Sequence, residues 1–408
     1  SKVMKILHTA DWHIGKKLHK HYLYTDFERF ISWLIAVIQK EAIELVLVSG
    51  DVFDLANPSA EARKQYYKAL KQLSNLNCKL IITGGNHDSP SMLDAPREIL
   101  EALNVHILGG MPENPADCLI PVQGKKENDE LVVAAIPFLR DGDIRAAESG
   151  VTYENRIEAI RKGIEAVFTQ AAELCKHKFP GLTVIAMGHL YAAGIESSES
   201  ERDIQIGNQA AFQASQFGEY FSYVALGHIH KPQRVSAAIP AFYSGSPLPL
   251  SFSERTDEKR VLILDTSTGF EPKSVAIPTF RKLNKVSGDL ERIKDKLQTL
   301  TPEGELTNLI EVELIEENFD ANRIAQLDTL VTEFNTPGLE IVKHRATFKN
   351  RLKATGKLFD AQQHLEDLKP LEVFTKMLEQ NSYDEEIKTK VTLAFQELVE
   401  HLNTADPA

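Results

Sequence analysis

Seven side chains able to bind a metal stand immediately after short apolar runs in this chain. Gly84-Gly85-Asn86-His87-Asp88 follows Leu80-Ile81-Ile82-Thr83, Asp11-Trp12-His13 follows Ile6-Leu7-His8-Thr9, and Gly50-Asp51 follows Leu45-Val46-Leu47-Val48. Gly188-His189 follows Val184-Ile185-Ala186, and Gly227-His228-Ile229-His230 follows Tyr223-Val224-Ala225-Leu226. The candidate ligands are Asp11, His13, Asp51, Asn86, His189, His228 and His230, enough for two ions if one carboxylate is shared. Asp51, alone after its run, is the candidate bridge. Imidazole mixed with carboxylate and amide suits manganese, iron or zinc better than calcium, which prefers oxygen ligands, or a thiolate-selective metal. A His-x-His pair on an extended segment would turn both rings to one side.

Charge then points to a substrate class. Two divalent ions with Asp11, Asp51 and a hydroxide nucleophile leave one positive charge, which a single phosphodiester anion neutralises. Metals roughly 3.5–4 Å apart can both activate the nucleophile and hold phosphoryl oxygens for in-line displacement. His87 adjoins Asn86 but is not needed in the ligand shell, so it is the candidate general acid for the leaving oxygen. Asp54 is the candidate to orient that ring and keep it protonated, with Asp88 as the other carboxylate nearby. A lone histidine is commonly a satisfied structural residue, but nine such positions at five strand ends argue for one site.

The elements that must position these residues are legible as a repeated strand and helix order, an α/β class. An all-apolar run capped by Gly reads as a buried strand ending in a tight loop. Open α/β sheets bind ligands at the carboxyl ends of their strands, so the five loops are expected to meet in one crevice. Phe27, Phe30, Ile31, Leu34 and Ile38 fall at helical spacing, as do Ile157, Ile160, Ile164, Val167, Phe168, Ala171 and Leu174. Asn57-Pro58 reads as a cap and first turn for a helix with Tyr66, Leu70 and Leu73 on one face. A further helix is expected near Leu93 to Leu103, and strands near Val105–Leu108, Cys118–Val122 and Leu131–Ile136. The basic cluster Lys16-Lys17-Leu18-His19-Lys20-His21 is either a solvated loop or a phosphate contact through Lys16, Lys17 and Lys20.

Beyond His230 the chain reads as β-rich to about Ile277, and the pattern then changes. Strands over Phe280–Val286, Ile310–Leu314 and Leu339–Val342 alternate with helices over Leu290–Leu300 and Arg323–Phe334, a small α+β unit. Lys343, Arg345, Lys349, Arg351, Lys353 and Lys357 follow with no acid between them, reading as a basic linker. Leu371, Phe374 and Leu378, then Ile387, Val391, Phe395, Leu398 and Leu402, give two amphipathic helices that either dock on another protein or pack as a hairpin on their own domain. The expected division is 1–277, 278–346 and 347–408.

At 408 residues and 43% hydrophobic content the chain has room for two or three domains. Its 46 basic and 58 acidic side chains give a net charge of −12, which disfavours nonspecific nucleic-acid binding, so any such contact is local or shared with a partner. Cys78, Cys118 and Cys175 are far apart and odd in number, as reduced thiols would be. No stretch has signal-peptide form and no run is long enough to span a bilayer, so a cytoplasmic protein with no membrane contact is expected.

Taken together, Asp11-x-His13, Gly50-Asp51-x-x-Asp54, Gly85-Asn86-His87-Asp88, Gly188-His189 and Gly227-His228-x-His230 resemble the motif set of the calcineurin-like metallophosphoesterases. The resemblance implies a two-layered β sandwich flanked by helices, with a dinuclear centre. It does not choose among protein phosphatases, nucleotidases, cyclic-nucleotide phosphodiesterases and DNA nucleases. His8-Thr9-Ala10-Asp11-Trp12-His13-Ile14-Gly15, Ile136-Pro137-Phe138-Leu139-Arg140 and Tyr243-Ser244-Gly245-Ser246-Pro247-Leu248-Pro249-Leu250-Ser251-Phe252 are similar to the SbcD family of bacterial nucleases. That likeness implies a manganese-dependent nuclease that degrades duplex DNA from its ends, opens hairpins and cuts single strands, working with an SMC-like ATPase, SbcC, in repair and recombination. It further implies a capping domain after the catalytic domain and terminal helices that hold the ATPase, through Leu371, Phe374, Leu378, Val391, Phe395 and Leu398. A homodimer within a heterotetramer is implied as well, formed by helices around Tyr66 and Met92. Arg140 joins Lys16, Lys17 and Lys20 as a candidate DNA contact. Archaeal and eukaryotic relatives carry His where Asp54 stands, which puts the partner of His87 in question. Two other readings are a phosphoesterase acting on nucleotides or phosphoproteins, which leaves the terminal helices unexplained, and a metal-free scaffold, which should have lost ligands that are all present.

Overall fold

Strands buried on both faces read as continuous apolar runs when they lie parallel in a covered sheet, and the ligand-bearing runs do so in the computed structural model of the chain. The structure describes residues 4–124, 130–144, 153–201, 211–350, 370–379 and 384–404. Two compact units are formed, one from residues 1–16, 22–278 and 400–408, the other from 17–21 and 279–399.

Among the described residues the first unit holds two six-stranded sheets. The first sheet runs in the order Lys273–Ala276, Arg260–Asp265, Lys5–Thr9, Leu45–Ser49, Lys79–Thr83 and Val105–Leu108, the last four strands being parallel. The second runs Gln233–Arg234, Ala241–Tyr243, Tyr223–Gly227, Thr183–His189, Glu130–Ala135 and Leu119–Gln123, with a parallel centre. The five ligand-bearing strands therefore do not share one sheet edge. Three end in the first sheet and two in the second, and the crevice is the seam between them.

Buried polar groups fasten that seam. The imidazole of His8 spans it, accepting from Tyr223 Oη at 3.0 Å through Nδ1 and donating to the Leu226 carbonyl at 3.1 Å through Nε2. Ser49 Oγ donates to the Ala225 carbonyl at 3.0 Å. Helix Tyr24–Glu41 buries Phe27, Phe30, Ile31, Leu34 and Ile38 as its periodicity requires. In helix Tyr153–Lys178, Ile160, Ile164, Phe168 and Ala171 are buried, and Phe168 sits among Phe212, Phe217 and Phe221. Helix Ala60–Ser74 is capped by Ser59, whose side chain accepts from the Ala62 amide, rather than by Asn57. A serine three positions before a free amide makes the better cap, and Pro58 stays outside the helix. The helix expected near Leu93 to Leu103 is broken into Pro90–Asp94 and Arg97–Glu101, with Pro96 between them.

In the second unit, strands Leu283–Gly288, Asn308–Glu316 and Leu339–Phe348 are all parallel, so helices Leu290–Thr299 and Ala321–Glu333 are crossovers of a βαβαβ array rather than parts of an α+β unit. Ile293, Leu297, Ile310, Val312, Leu314 and Leu327 form its core. The expected basic linker begins inside the third strand. Arg345 Nη2 lies 3.0 Å from Glu313 Oε1 and Lys349 Nζ lies 2.6 Å from Glu317 Oε1, so acidic neighbours distant in sequence absorb these charges. Arg351, Lys353 and Lys357 lie outside the described residues. Helices Pro370–Glu379 and Glu385–Thr404 stack Phe374 on Phe395 at a centroid distance of 4.1 Å and bury Leu378, with Leu371 half-buried, while Val391 and Leu398 stay exposed. Part of the stripe thus packs between the helices and part is left outward. Among the described residues no helix is long and apolar enough to cross a membrane, and all three cysteines are free and buried.

Burial lowers the His8 pKa to about 3, against a weaker opposing pull from its bond to the Leu226 carbonyl. The unfolded chain, where the ring titrates normally, binds more protons between these two values, so the seam loses stability as pH falls below about 6.5. Urea titrations of the wild type and His8→Gln are expected to show the wild type's advantage shrinking by about 1.5–2 kcal/mol from pH 6.5 to pH 5. A pH-independent difference would mean that the ring is not held neutral.

Candidate metal centre

The loops leaving the five strands adopt backbone conformations that side chains usually avoid. Asp11, His13, Asp51 and His228 have φ of 54°, 44°, 49° and 101°. Residues held there cost on the order of 1–3 kcal/mol each unless their surroundings fix them. Here the loops brace one another, the Asp11 amide donating to the Gly50 carbonyl and the His13 amide to the Asp51 carbonyl, each at 3.0 Å. Gly85 and Gly227 allow the approach. A Cβ on Gly85 would lie 2.1 Å from Asp51 Oδ1, and one on Gly227 would lie 1.7 Å from the Ser49 carbonyl oxygen.

The seven predicted ligands are all buried and fall into two overlapping groups. The ligand atoms of Asp11, His13 and His230 lie within 4.8 Å of one another, as do those of Asp51, His189 and His228. Asp51 belongs to both neighbourhoods, its Oδ2 being 3.5 Å from His13 Nε2 and 3.4 Å from His189 Nε2. Asn86 Oδ1 accepts from His189 Nε2 at 2.9 Å and from His228 Nδ1 at 3.2 Å. The His228-x-His230 pair is not an extended segment, because His228 has its positive φ, and its two rings serve different groups.

Among the described residues, His13 Nε2, His228 Nε2 and Asn86 Nδ2 are buried with no hydrogen-bond partner. Burial is the main influence holding His13 and His228 below the ordinary histidine range, which leaves neutral rings with lone pairs to offer. Burial works the other way on Asp11, lifting it to about 7 against the pull of His189 and His230. For His189, burial is outweighed by the carboxylates of Asp51 and Asp11, which raise it to about 9. Unmatched imidazole lone pairs packed against crowded carboxylates fit a pair of divalent cations.

The supporting groups differ from expectation at one point. His87 Nδ1 donates to the main-chain carbonyl of Asp54 at 2.8 Å, whereas the Asp54 carboxylate receives His13 Nδ1 at 3.1 Å and has Lys16 Nζ at 3.4 Å. Asp54 therefore orients His87 through its backbone and a predicted ligand through its side chain. Asp88 does neither, because its oxygens accept the amides of Gly85, Val52 and Phe53 at 2.8, 3.0 and 2.9 Å. The His87 ring lies 4.6 Å from that of His13, at the edge of the site. Arg140 Nη2 donates to the Asp88 carbonyl at 2.9 Å, and Lys16 reaches the centre through Asp54, while Lys17 and Lys20 fall in the second compact unit. Ser200, Glu201, Glu254 and Lys259, which surround His230, carry no motif or spacing that marks them in the sequence.

A calcineurin-like phosphoesterase profile matches residues 4–232, more than half of the chain. The SbcD component of the SbcCD nuclease of Rhodobacter capsulatus is 36% identical over 283 residues, 67% of this chain and 69% of that protein. Its namesake in Escherichia coli K12 is 32% identical over 299 residues, covering 72% and 74%, and that of Bacillus subtilis 168 is 33% identical over 271 residues, covering 66% and 68%. The chain belongs to the SbcD family of calcineurin-like phosphoesterases. A profile described as Type 5 capsule protein repressor C-terminal domain matches residues 279–382, which includes the βαβαβ array. Membership of the SbcD family makes the chain a hydrolase of phosphate esters, and its His and Asp clusters suit the divalent metal centre such a domain uses.

Gly85→Ala is expected to push Asp51 out of place and lower the divalent metal retained after dialysis, measured by inductively coupled plasma mass spectrometry. Wild-type metal content in a folded Gly85→Ala protein would show that the close approach is not required.

Proposed function

We propose that the chain is a manganese-dependent DNA nuclease that processes duplex ends and hairpins and cuts single strands, as the partner of an SbcC-like SMC-type ATPase. The observation that carries this reading is the shared carboxylate of Asp51, flanked by two imidazoles within 3.5 Å, beside buried ring nitrogens that lack a partner. Asp11, His13 and His230 would hold one cation, Asn86, His189 and His228 the other, and Asp51 both. When bound, such a pair supplies Lewis-acid activation of the phosphodiester and of the attacking water.

The chain's own residues hold and deliver protons around that chemistry. Asp54 Oδ1 keeps the His13 proton on Nδ1 and so turns Nε2 toward the Asp51 carboxylate. The Asp54 carbonyl holds His87 Nδ1–H, which leaves Nε2 as the atom that gives a proton to the leaving oxygen. Lys16 and Arg140 would meet the phosphates flanking the scissile bond.

We assign residues 1–277 to the nuclease domain, 278–346 to a capping domain and 347–408 to partner binding. The exposed Val391 and Leu398, continuing the stripe of Leu371, Phe374, Leu378 and Phe395, give the ATPase an apolar surface. The relatives' shared name, which makes each of them one component of the SbcCD nuclease, supports such a complex, and a homodimer of the nuclease within a heterotetramer fits it. A net charge of −12 leaves DNA affinity to local contacts and to the partner, and the cytoplasm is the compartment where both would be met.

A labelled hairpin duplex incubated with manganese is expected to be cut weakly by the chain alone and strongly with the ATPase and ATP. Equal cutting with and without the partner would argue against the complex. His87→Ala is expected to keep its metals while cleavage falls by roughly 10²–10⁴-fold, the scale of general acid–base catalysis. Cleavage at the wild-type rate would remove the acid assignment. Asp51→Ala is expected to lose metal instead, and two ions still bound on metal analysis would remove the bridge.

A further inference from the structure

The backbone of His230 and the Nδ1 edge of its ring are held by hydrogen bonds. Its amide donates to Glu201 Oε1 at 2.8 Å, and its carbonyl accepts from Lys259 Nζ at 2.9 Å and from the Ser246 amide at 3.0 Å. Its Nδ1 lies 2.6 Å from Ser200 Oγ and 3.2 Å from Glu254 Oε1. Ser200 Oγ in turn donates to Glu254 Oε1, as does Ser198 Oγ at 2.9 Å. With the Ser200 O–H donated to Glu254, the two contacts of Nδ1 require Nδ1–H to be the donor to Ser200 and Glu254.

Glu254 is fully buried and Lys259 nearly so, at 0% and 5% exposure. Glu254 Oε2 receives Lys259 Nζ at 2.7 Å and the Leu250 amide at 3.0 Å, so the carboxylate is matched and fixed before it meets His230. A buried ion pair of this kind is often no more stable than an apolar pair of equal size, so its presence asks for a role beyond stability. A carboxylate behind a ligating histidine sets the ring's tautomer and makes its other nitrogen a better donor. The three residues Ser198, Ser200 and Glu201 lie on the segment that follows strand Thr183–His189. The stretch of chain leaving one predicted ligand thus supports another in the opposite group.

We infer that Glu254, with its charge fixed by Lys259 and its reach completed by Ser200, is a positioning residue that locks His230 with the proton on Nδ1 and Nε2 turned to the cation position of Asp11 and His13. The inference rests on the two-cation reading and adds to it an unequal pair of positions, one of which depends on a buried Glu–Lys pair outside the ligand set.

The test uses the full chain and manganese alone as the probe. Electron paramagnetic resonance titration counts and ranks the bound Mn²⁺, and long-range ¹H–¹⁵N correlation of the metal-free protein reports the His230 tautomer. The variants are Ser200→Ala and the neutral pair Glu254→Gln with Lys259→Met. The wild type is expected to bind two Mn²⁺ with His230 protonated on Nδ1. The neutral pair is expected to weaken one Mn²⁺ by roughly 10–100-fold, the usual cost of losing such a partner, and to give a mixture of His230 tautomers. If the double variant does not fold, Ser200→Ala decides, with weaker binding of the same ion and a shifted tautomer expected. Wild-type affinity for both ions in either folded variant would overturn the inference, as would weakened binding with the His230 tautomer unchanged. A wild type that binds no Mn²⁺ would instead overturn the two-cation reading itself, and this inference with it.

Discussion

Asp51 places a carboxylate at the seam of two sheets, 1% exposed, where water cannot solvate it. Burial alone would force the proton on, yet His189, His87 and His13 around it outweigh burial and keep Asp51 well below the ordinary carboxylate range. Its neighbours carry the consequence. Asp88, also buried and facing the Asp51 charge, is raised to about 6 despite three backbone amides, and Asp11 to about 7. Buried carboxylates around a charged one ionise more readily when positive charge is added beside them, which a divalent cation supplies.

That charge distribution needs a scaffold able to bear left-handed backbone at four ligands. The strands supply it because those entering the crevice are parallel and buried, and their last residues are tied across the seam. Ser49 shows the economy of this arrangement. Its hydroxyl donates to the Ala225 carbonyl in the opposite sheet, and its own carbonyl accepts His189 Nδ1–H at 3.0 Å. The residue that joins the sheets thus also orients the ring of a predicted ligand. Fold stability and site geometry are one network here, so disturbing the seam at His8 or Ser49 disturbs the centre.

Apolar runs ended by Gly, Asp and His are readable in the chain itself because burial on both faces and close approach are demanded locally. Which sheet each run joins is settled by partners far away in sequence, so the runs point to a single crevice edge where a seam between sheets stands. The role of Asp54 is hidden for a different reason. A sequence displays side chains and conceals main-chain acceptors, and it is the Asp54 carbonyl that holds His87. Glu254 and Lys259 look like ordinary surface charges, being 24 and 29 residues beyond His230. Lys343 and Arg345 resemble part of a linker because no acid adjoins them, although the parallel register sets Glu311 and Glu313 opposite them.

The two groups of predicted ligands are also supported by different chemistry. His189 rests on a neutral carbonyl and Asn86 adds an uncharged oxygen to the same group, so that position leans on Asp51 for its charge. The other group has Asp11 directly, with the Asp54 carboxylate behind His13 and the Glu254 carboxylate behind His230. His87 packs its ring against that of His13 at a centroid distance of 4.6 Å, on the side of the centre that holds the Asp54 carboxylate.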